Sequence, residues 1–244
     1  MSGHSKWHNI QARKGKQDAK RGNLFSKFAK KITLAAKIGG GNPETNFALR
    51  LALDKGKGVG MPKENLERAV KAGTGELKDV AQLEELLYEG FGPGGTAVMV
   101  KILTDNKNRV SSEIKRILAD NGGSLGGSGS VQWMFEQFGI ARINNEQLTI
   151  NKIERDDFEM QMIEAGAEDI SEEGGIVEIR TKIENLQSVL GKIKEMGIEP
   201  ESSCLEWIAK DKVSISLEIQ DKLMRLFEEL EEHDDVEDYF TNAE

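Results

Sequence analysis

From residue 139 to residue 208 the apolar residues change period repeatedly, and the order of those changes limits the fold more than any other feature of the chain. Residues 140–143 alternate as a strand does, and 156–165 repeat at helical spacing through Phe158, Met162 and Ala165. Two strands follow, over 168–171 and 176–181, around the turn Gly174-Gly175. A helix over 184–196 carries Leu186, Val189, Leu190 and Ile193 on one face and stops at Gly197, and 202–208 closes as a strand. The order βαββαβ is that of a split, ferredoxin-like sandwich.

The flanks read as parts of a second sandwich. Strands are expected over 86–91 and 96–103, joined by the turn Gly92-Pro93-Gly94-Gly95. A helix with Val110, Ile114, Ile117 and Leu118 on one face comes next, then a glycine-rich stretch over 122–130 that leads into a strand over 131–135. The tail supplies a helix over 217–232, with Ile219, Leu223, Leu226, Phe227 and Leu230 inward, and a strand over 236–240. A helix and a strand are what the 86–135 segment lacks, so 139–208 is expected to interrupt a discontinuous domain.

Ahead of both lie three short helices. The first, over 24–38, has a stripe of Phe25, Phe28, Ala29, Ile32, Ala35 and Ala36 and stops at Gly39-Gly40-Gly41. Asn42-Pro43 serves as N-cap and first residue of the second, with Phe47, Ala48, Leu51 and Ala52 inward and a break over 56–60. Met61-Pro62 opens the third, with Leu66, Ala69 and Val70 inward and Gly73 as its stop. The expected fold class is therefore α+β with three domains. These are a basic helical bundle over 1–75, a discontinuous α/β domain over 76–137 and 209–244, and an inserted ferredoxin-like α/β domain over 138–208.

Charge divides along the same line. Residues 2–41 hold ten basic side chains against one acid, Asp18, a net +9 in a chain whose formal net charge is −9. Residues 1–75 carry +11, which leaves −20 for the rest. A segment so opposed in sign to its own chain is suited to a polyanion, while the acidic remainder keeps the protein apart from one. The basic residues that make the segment are Lys6, Arg13, Lys14, Lys16, Lys20, Arg21, Lys27, Lys30 and Lys31, with Lys37 at the end of the helix. Residues 1–22 lack helical periodicity and are expected to order on a partner. Trp7, one of the few large apolar residues there, either docks on the following helices or stacks on an exposed base.

Catalytic patterns are missing. The 122–130 stretch lacks the Gly-Lys-Ser/Thr ending of a phosphate loop and runs from helix to strand, the reverse of that motif's order, so it reads as a flexible or tight connection. His4 and His8 have metal-ligand spacing but no third ligand nearby, and His233 is remote. Asp234, Asp235, Glu237 and Asp238 resemble a nuclease cluster, yet they continue the acidic run 228–232 and read as a solvated face. The single cysteine, Cys204, sits in an alternating stretch as a small strand residue, which fits a reducing cytoplasm. The basic start has no apolar run behind it, and no stretch approaches the ~20 apolar residues of a bilayer span. No cofactor, metal, small-molecule substrate or membrane is expected as a partner.

The chain resembles the YebC/PmpR family, which includes mitochondrial translational activators. The resemblance rests on Gly3-His4-Ser5-Lys6-Trp7, Gly40-Gly41-Asn42-Pro43, Met61-Pro62-Lys63, Glu89-Gly90-Phe91-Gly92-Pro93-Gly94-Gly95, and Gly123-Ser124-Leu125-Gly126 with Gly129-Ser130-Val131. It runs end to end, departing chiefly in the glycine-rich Lys57-Gly58-Val59-Gly60. It implies a helical domain followed by two α/β domains, and a non-enzymatic role in gene expression. That role is either DNA-binding transcription regulation or ribosome-associated easing of translation through stalling sequences such as proline runs. The helix over 24–38 offers lysines rather than the Arg, Asn and Gln that read base edges, which favours backbone or shape recognition and hence rRNA over a strict operator. Gly92, Pro93, Gly94 and Gly95 form a possible second contact loop. A nuclease using Asp235 and Asp238, and a protein adaptor acting through the acidic part, are the competing classes.

Overall fold

The structure, a computed structural model, describes residues 20–77 and 83–244. The expectations placed on residues 1–19, among them those for Lys6, Trp7, Arg13, Lys14 and Lys16, lie outside the described residues. Two compact units emerge. One is Met134–Asp211, and the other takes the remaining described residues.

In the second unit three helices come first: α1 (Lys20–Gly39), α2 (Phe47–Gly58) and α3 (Lys63–Gly73). Ile32, Ala36, Leu49, Met61, Leu66 and Ala69 form their shared core, as the apolar stripe of α1 requires. α1 starts a turn earlier than expected, at Lys20. The cap of α2 is Asn46 and not Asn42. Asn46 Oδ1 accepts from the Leu49 amide at 3.0 Å, while its Nδ2 donates to the carbonyls of Ala35 and Gly40, both at 2.8 Å. One side chain thus starts α2 and satisfies the end of α1. The inward residue of the first turn is consequently Leu49, while Phe47 and Ala48 face solvent.

Gly56 does not break α2. It lies buried within the helix, where a Cβ would come within 2.8 Å of Leu66 Cδ2, so it is a close-approach site between α2 and α3. Gly73 does the same for α3, because a Cβ there would stand 2.3 Å from the Thr33 carbonyl oxygen of α1.

The same unit continues with β1 (Glu84–Phe91), β2 (Ala97–Thr104), α4 (Lys107–Asp120), the short β3 (Ser124–Leu125), and, after the other unit, α8 (Leu217–Glu232) and β8 (Val236–Thr241). The sheet is antiparallel with order β3-β1-β2-β8. α4 and α8 cover one face, where Val98, Val100, Ile102, Ile114, Leu118, Leu223, Phe227 and Tyr239 pack.

The Met134–Asp211 unit holds β4 (Phe135–Asn144), α5 (Glu146–Ile150), α6 (Arg155–Glu164), β5 (Ala167–Glu173), β6 (Ile176–Thr181), α7 (Leu186–Glu195) and β7 (Ser202–Ala209). Its antiparallel order, β5-β6-β4-β7, is the ferredoxin-like one read from the sequence. Phe158, Met162, Val189 and Ile193 pack on Ala141, Ile143, Val177 and Ile179. One expectation fails locally and one element is unforeseen. The strand over 131–135 does not form, since 132–134 is a single 3₁₀ turn and β4 begins at Phe135. The helix α5 had no counterpart in the sequence reading.

On the other face of this sheet Arg142 is clamped between two carboxylates. Its Nε and Nη2 donate to Glu178 at 2.9 and 2.6 Å, and Nη1 and Nη2 donate to Glu206 at 2.6 and 3.0 Å. The Cys204 thiol, half-buried in β7 as expected of a small strand residue, donates to Glu206 Oε1 at 3.2 Å.

Candidate nucleic-acid interface

Asn23, Lys27, Lys30 and Lys31 recur at helical spacing on α1, on the side away from its apolar stripe. Lys27, Lys30 and Lys31, among the expected phosphate contacts, are engaged with the rest of the chain. They meet the corner where α8 ends and β8 begins. Asn23 Nδ2 donates to the Glu232 carbonyl at 2.8 Å, and the Lys27 ammonium donates to the Glu231 carbonyl. The Lys30 ammonium donates to the Asp234 carbonyl at 3.0 Å and pairs with the Asp235 carboxylate. Lys31 stands 3.7 Å from Glu237, which also lies 3.3 Å from Lys101.

The last carbonyls of a helix have no partner within it and carry the negative end of its dipole. Donors one turn apart on α1 therefore close α8. Burial pushes the Lys27 ammonium down to about 8, against the pull of Glu231 and with help from Lys31.

Asp235 is the hub of this corner and is 1% exposed. The expectation of a solvated acidic face holds for Glu228, Glu229, Glu231, Glu232 and Asp234 but is corrected at Asp235, because Arg109 Nη2 of α4 donates to Asp235 Oδ2 at 2.6 Å while Lys30 holds the other oxygen. Burial opposes ionisation of Asp235, yet Lys30 and Arg109 outweigh it and hold the carboxyl below its usual range.

His233 sits beside it. The Asp235 amide donates to Nδ1 at 3.1 Å, so Nε2 carries the proton and donates to Glu113 at 2.9 Å. Ligand atoms of Glu113, His233 and Asp235 come within 4.8 Å of one another. Both ring nitrogens of His233 are engaged, and Lys30 and Arg109 supply positive charge beside the Asp235 carboxylate. The corner is built as an ion-pair seam.

Lys20 and Arg21 belong to the first turn of α1. Elsewhere on the bundle Lys37 is exposed, and the Arg50 guanidinium lies 5.3 Å from the ring centroid of the exposed Phe47. No described helix is long and apolar enough to cross a membrane.

Comparison with known proteins now adds to the geometry. Residues 5–76 match the model described as the TACO1/YebC protein N-terminal domain, and residues 83–243 match TACO1/YebC second and third domain. The chain belongs to the TACO1/YebC family. A probable transcriptional regulatory protein of Caldanaerobacter subterraneus subsp. tengcongensis is 45% identical over 100% of this chain and 98% of its own. One from Dictyoglomus thermophilum is 46% identical over 99% and 95%. The crystal structure of a conserved hypothetical protein from Aquifex aeolicus superposes with a TM-score of 0.80 at 39% identity, covering 95% of this chain and 93% of that one.

The TACO1/YebC stretches that carried the sequence resemblance have structural reasons. At 92–95 the loop packs on α8: a Cβ on Gly92 would lie 3.2 Å from Leu223, and one on Gly94 (φ +70°) 3.1 Å from Ile219. Pro93 is buried, so only Gly94 and Gly95 present backbone to solvent. At 126–132 the connection is tight. The Glu89 carboxylate accepts the amides of Gly129, Val131 and Gln132 at 2.6, 2.9 and 2.7 Å. Sequence reading missed Glu89, Arg109, Asn23 and the role of Asp235, since each works through partners far along the chain. The one local signal was an acid placed among apolar strand residues, as at Glu89.

Proposed function

We propose that this protein is a non-enzymatic, nucleic-acid-binding regulator of gene expression acting in the cytoplasm. Lys6, Arg13, Lys14, Lys16, Lys20 and Arg21 contact phosphate, Trp7 stacks on a base, and Lys27, Lys30 and Lys31 add further cations. The observation that carries this reading is the charge split, +9 over residues 2–41 in a chain of net −9. The family's regulatory naming supports the regulator and the non-enzymatic role.

The finer reading is a ribosome-associated translation factor that contacts rRNA and eases stalling, for instance at proline runs. Its support is the donor set of α1: lysines that address charge, with its one described asparagine, Asn23, already bonded to protein. Duplex DNA is the second reading, favoured by relatives named probable transcriptional regulatory proteins.

Sedimentation of the tagged protein through a sucrose gradient of lysate, with and without ribonuclease, separates the two. The control is Lys14→Glu/Lys16→Glu. Lys27 and Lys30 are left intact because a carboxylate would face the Glu231 carbonyl at the first and Asp235 at the second and break the seam. Co-migration of the wild type with ribosomal particles, lost in the variant and after ribonuclease, is the expected result. If both stay at the top while the wild type shifts one promoter fragment over random duplex, the DNA reading replaces it.

A further inference from the structure

We propose that the α8–β8 corner is an internal substitute for phosphate, occupying the basic face of α1 until nucleic acid displaces it. The inference rests on the nucleic-acid reading above and adds its regulation. The corner presents the carbonyl oxygens of Glu231, Glu232 and Asp234 and the carboxylates of Asp235 and Glu237 to one side of one helix. Lys27 and Lys30 lie about 4.5 Å apart along the helix axis, the same order as the ~3.4 Å between charges along one strand of duplex DNA.

Three features make this contact exchangeable. The seam contacts are polar: the bundle core around Ile32 and the sandwich core around Val100 are separate clusters. Solvent reaches the lysines, with 21% of the Lys30 side chain and 41% of the Lys31 side chain exposed. Finally, the replacement is like for like, an ammonium leaving a carboxylate or carbonyl for a phosphate oxygen, so charge-assisted contacts are exchanged rather than lost. Arg109 and Lys101 stay behind on Asp235 and Glu237, so the corner keeps cations when α1 departs.

The seam then sets a threshold. A partner has to offer α1 enough phosphate contacts to replace the oxygens of the corner before the helix gives it up. A free nucleotide or a short oligonucleotide does not reach that point, whereas a long strand or a folded RNA does.

Anisotropy titrations with a 20-nucleotide single-stranded RNA and a 20-base-pair duplex compare wild type, Glu237→Gln, Asp235→Asn and Lys14→Glu/Lys16→Glu. Removing the competitor is expected to tighten binding by about three- to tenfold in Glu237→Gln and Asp235→Asn. Unchanged or weaker binding by folded Glu237→Gln, with the wild type binding and Lys14→Glu/Lys16→Glu impaired, overturns the exchange and leaves the nucleic-acid reading standing. No binding by any protein to either probe overturns both.

A second readout needs no variant. Amide exchange across 233–236 of the wild type is expected to speed up on adding the RNA, because the Asp235 and Val236 amides lose the closed corner. Slower or unchanged exchange there, at saturating RNA, sinks the proposal.

Discussion

Glu89 is 5% exposed and is held by three backbone amides, yet it stays ionised. Burial raises its carboxyl, but the amides of Gly129, Val131 and Gln132 lower it further and the net is downward. A folded-state value below the unfolded one adds stability that is fully present above the unfolded carboxylate range and is lost as pH falls through the folded value. Glu89→Gln places an NH₂ group among amide donors and keeps a single acceptor. It is expected to cost about 2–4 kcal/mol at neutral pH by urea denaturation and to flatten the acid limb of the stability profile. A variant as stable as wild type at pH 7, with the same acid limb, would show that the loop is held by something else. None of this was legible in the sequence. Glu89 stands in a stretch that suggested the family, but its partners lie 40 to 43 residues away.

At the scale of elements, Arg142 ties β4 to β6 and β7 through Glu178 and Glu206, which are 9% and 2% exposed. Removing the guanidinium alone takes the shared cation away from two buried carboxylates. Arg142→Met is expected to cost about 3–5 kcal/mol, and Arg142→Met/Glu178→Gln/Glu206→Leu to recover most of it, measured by chemical denaturation of the full chain. Failure of the triple variant to recover would mean that the cluster supplies specificity which apolar packing does not replace. Elements of strong period were legible: α8 forms over the expected span and the glycines after β5 make the expected turn, with φ of +60° and +84° at Gly174 and Gly175. What misled was Gly56 read as punctuation: it serves helix packing inside α2, whereas Gly73 ends α3 as expected and packs on α1 as well, and which use a glycine has depends on a neighbour the sequence does not display. Asn42 and Asn46 compete for one cap, and the winner is the one that also reaches the end of α1.

For the whole molecule, net charge and local charge make opposite forecasts. A chain of net −9 should be repelled by a polyanion at long range, whereas its +9 stretch should be drawn to one at short range. Salt decides which is felt, because the screening length is about 8 Å at 0.15 M and about 30 Å at 0.01 M. Above ~0.1 M a phosphate senses mainly the cations it touches, and each contact on a single strand contributes about −0.7 to the slope of log K against log salt. The six basic residues from Lys6 to Arg21 therefore give a slope of about −4, and Lys27, Lys30 and Lys31 bring it to about −6 once they leave the corner. Below about 0.03 M the −20 carried by residues 76–244 enters the field, and the plot should bend over instead of continuing to rise. Anisotropy titrations from 0.01 to 0.3 M salt test both parts, and Lys14→Gln/Lys16→Gln should lower the slope by about 1.4. A slope near zero above ~0.1 M would mean that the acidic body governs the encounter and that the basic segment serves only to dock on its own chain.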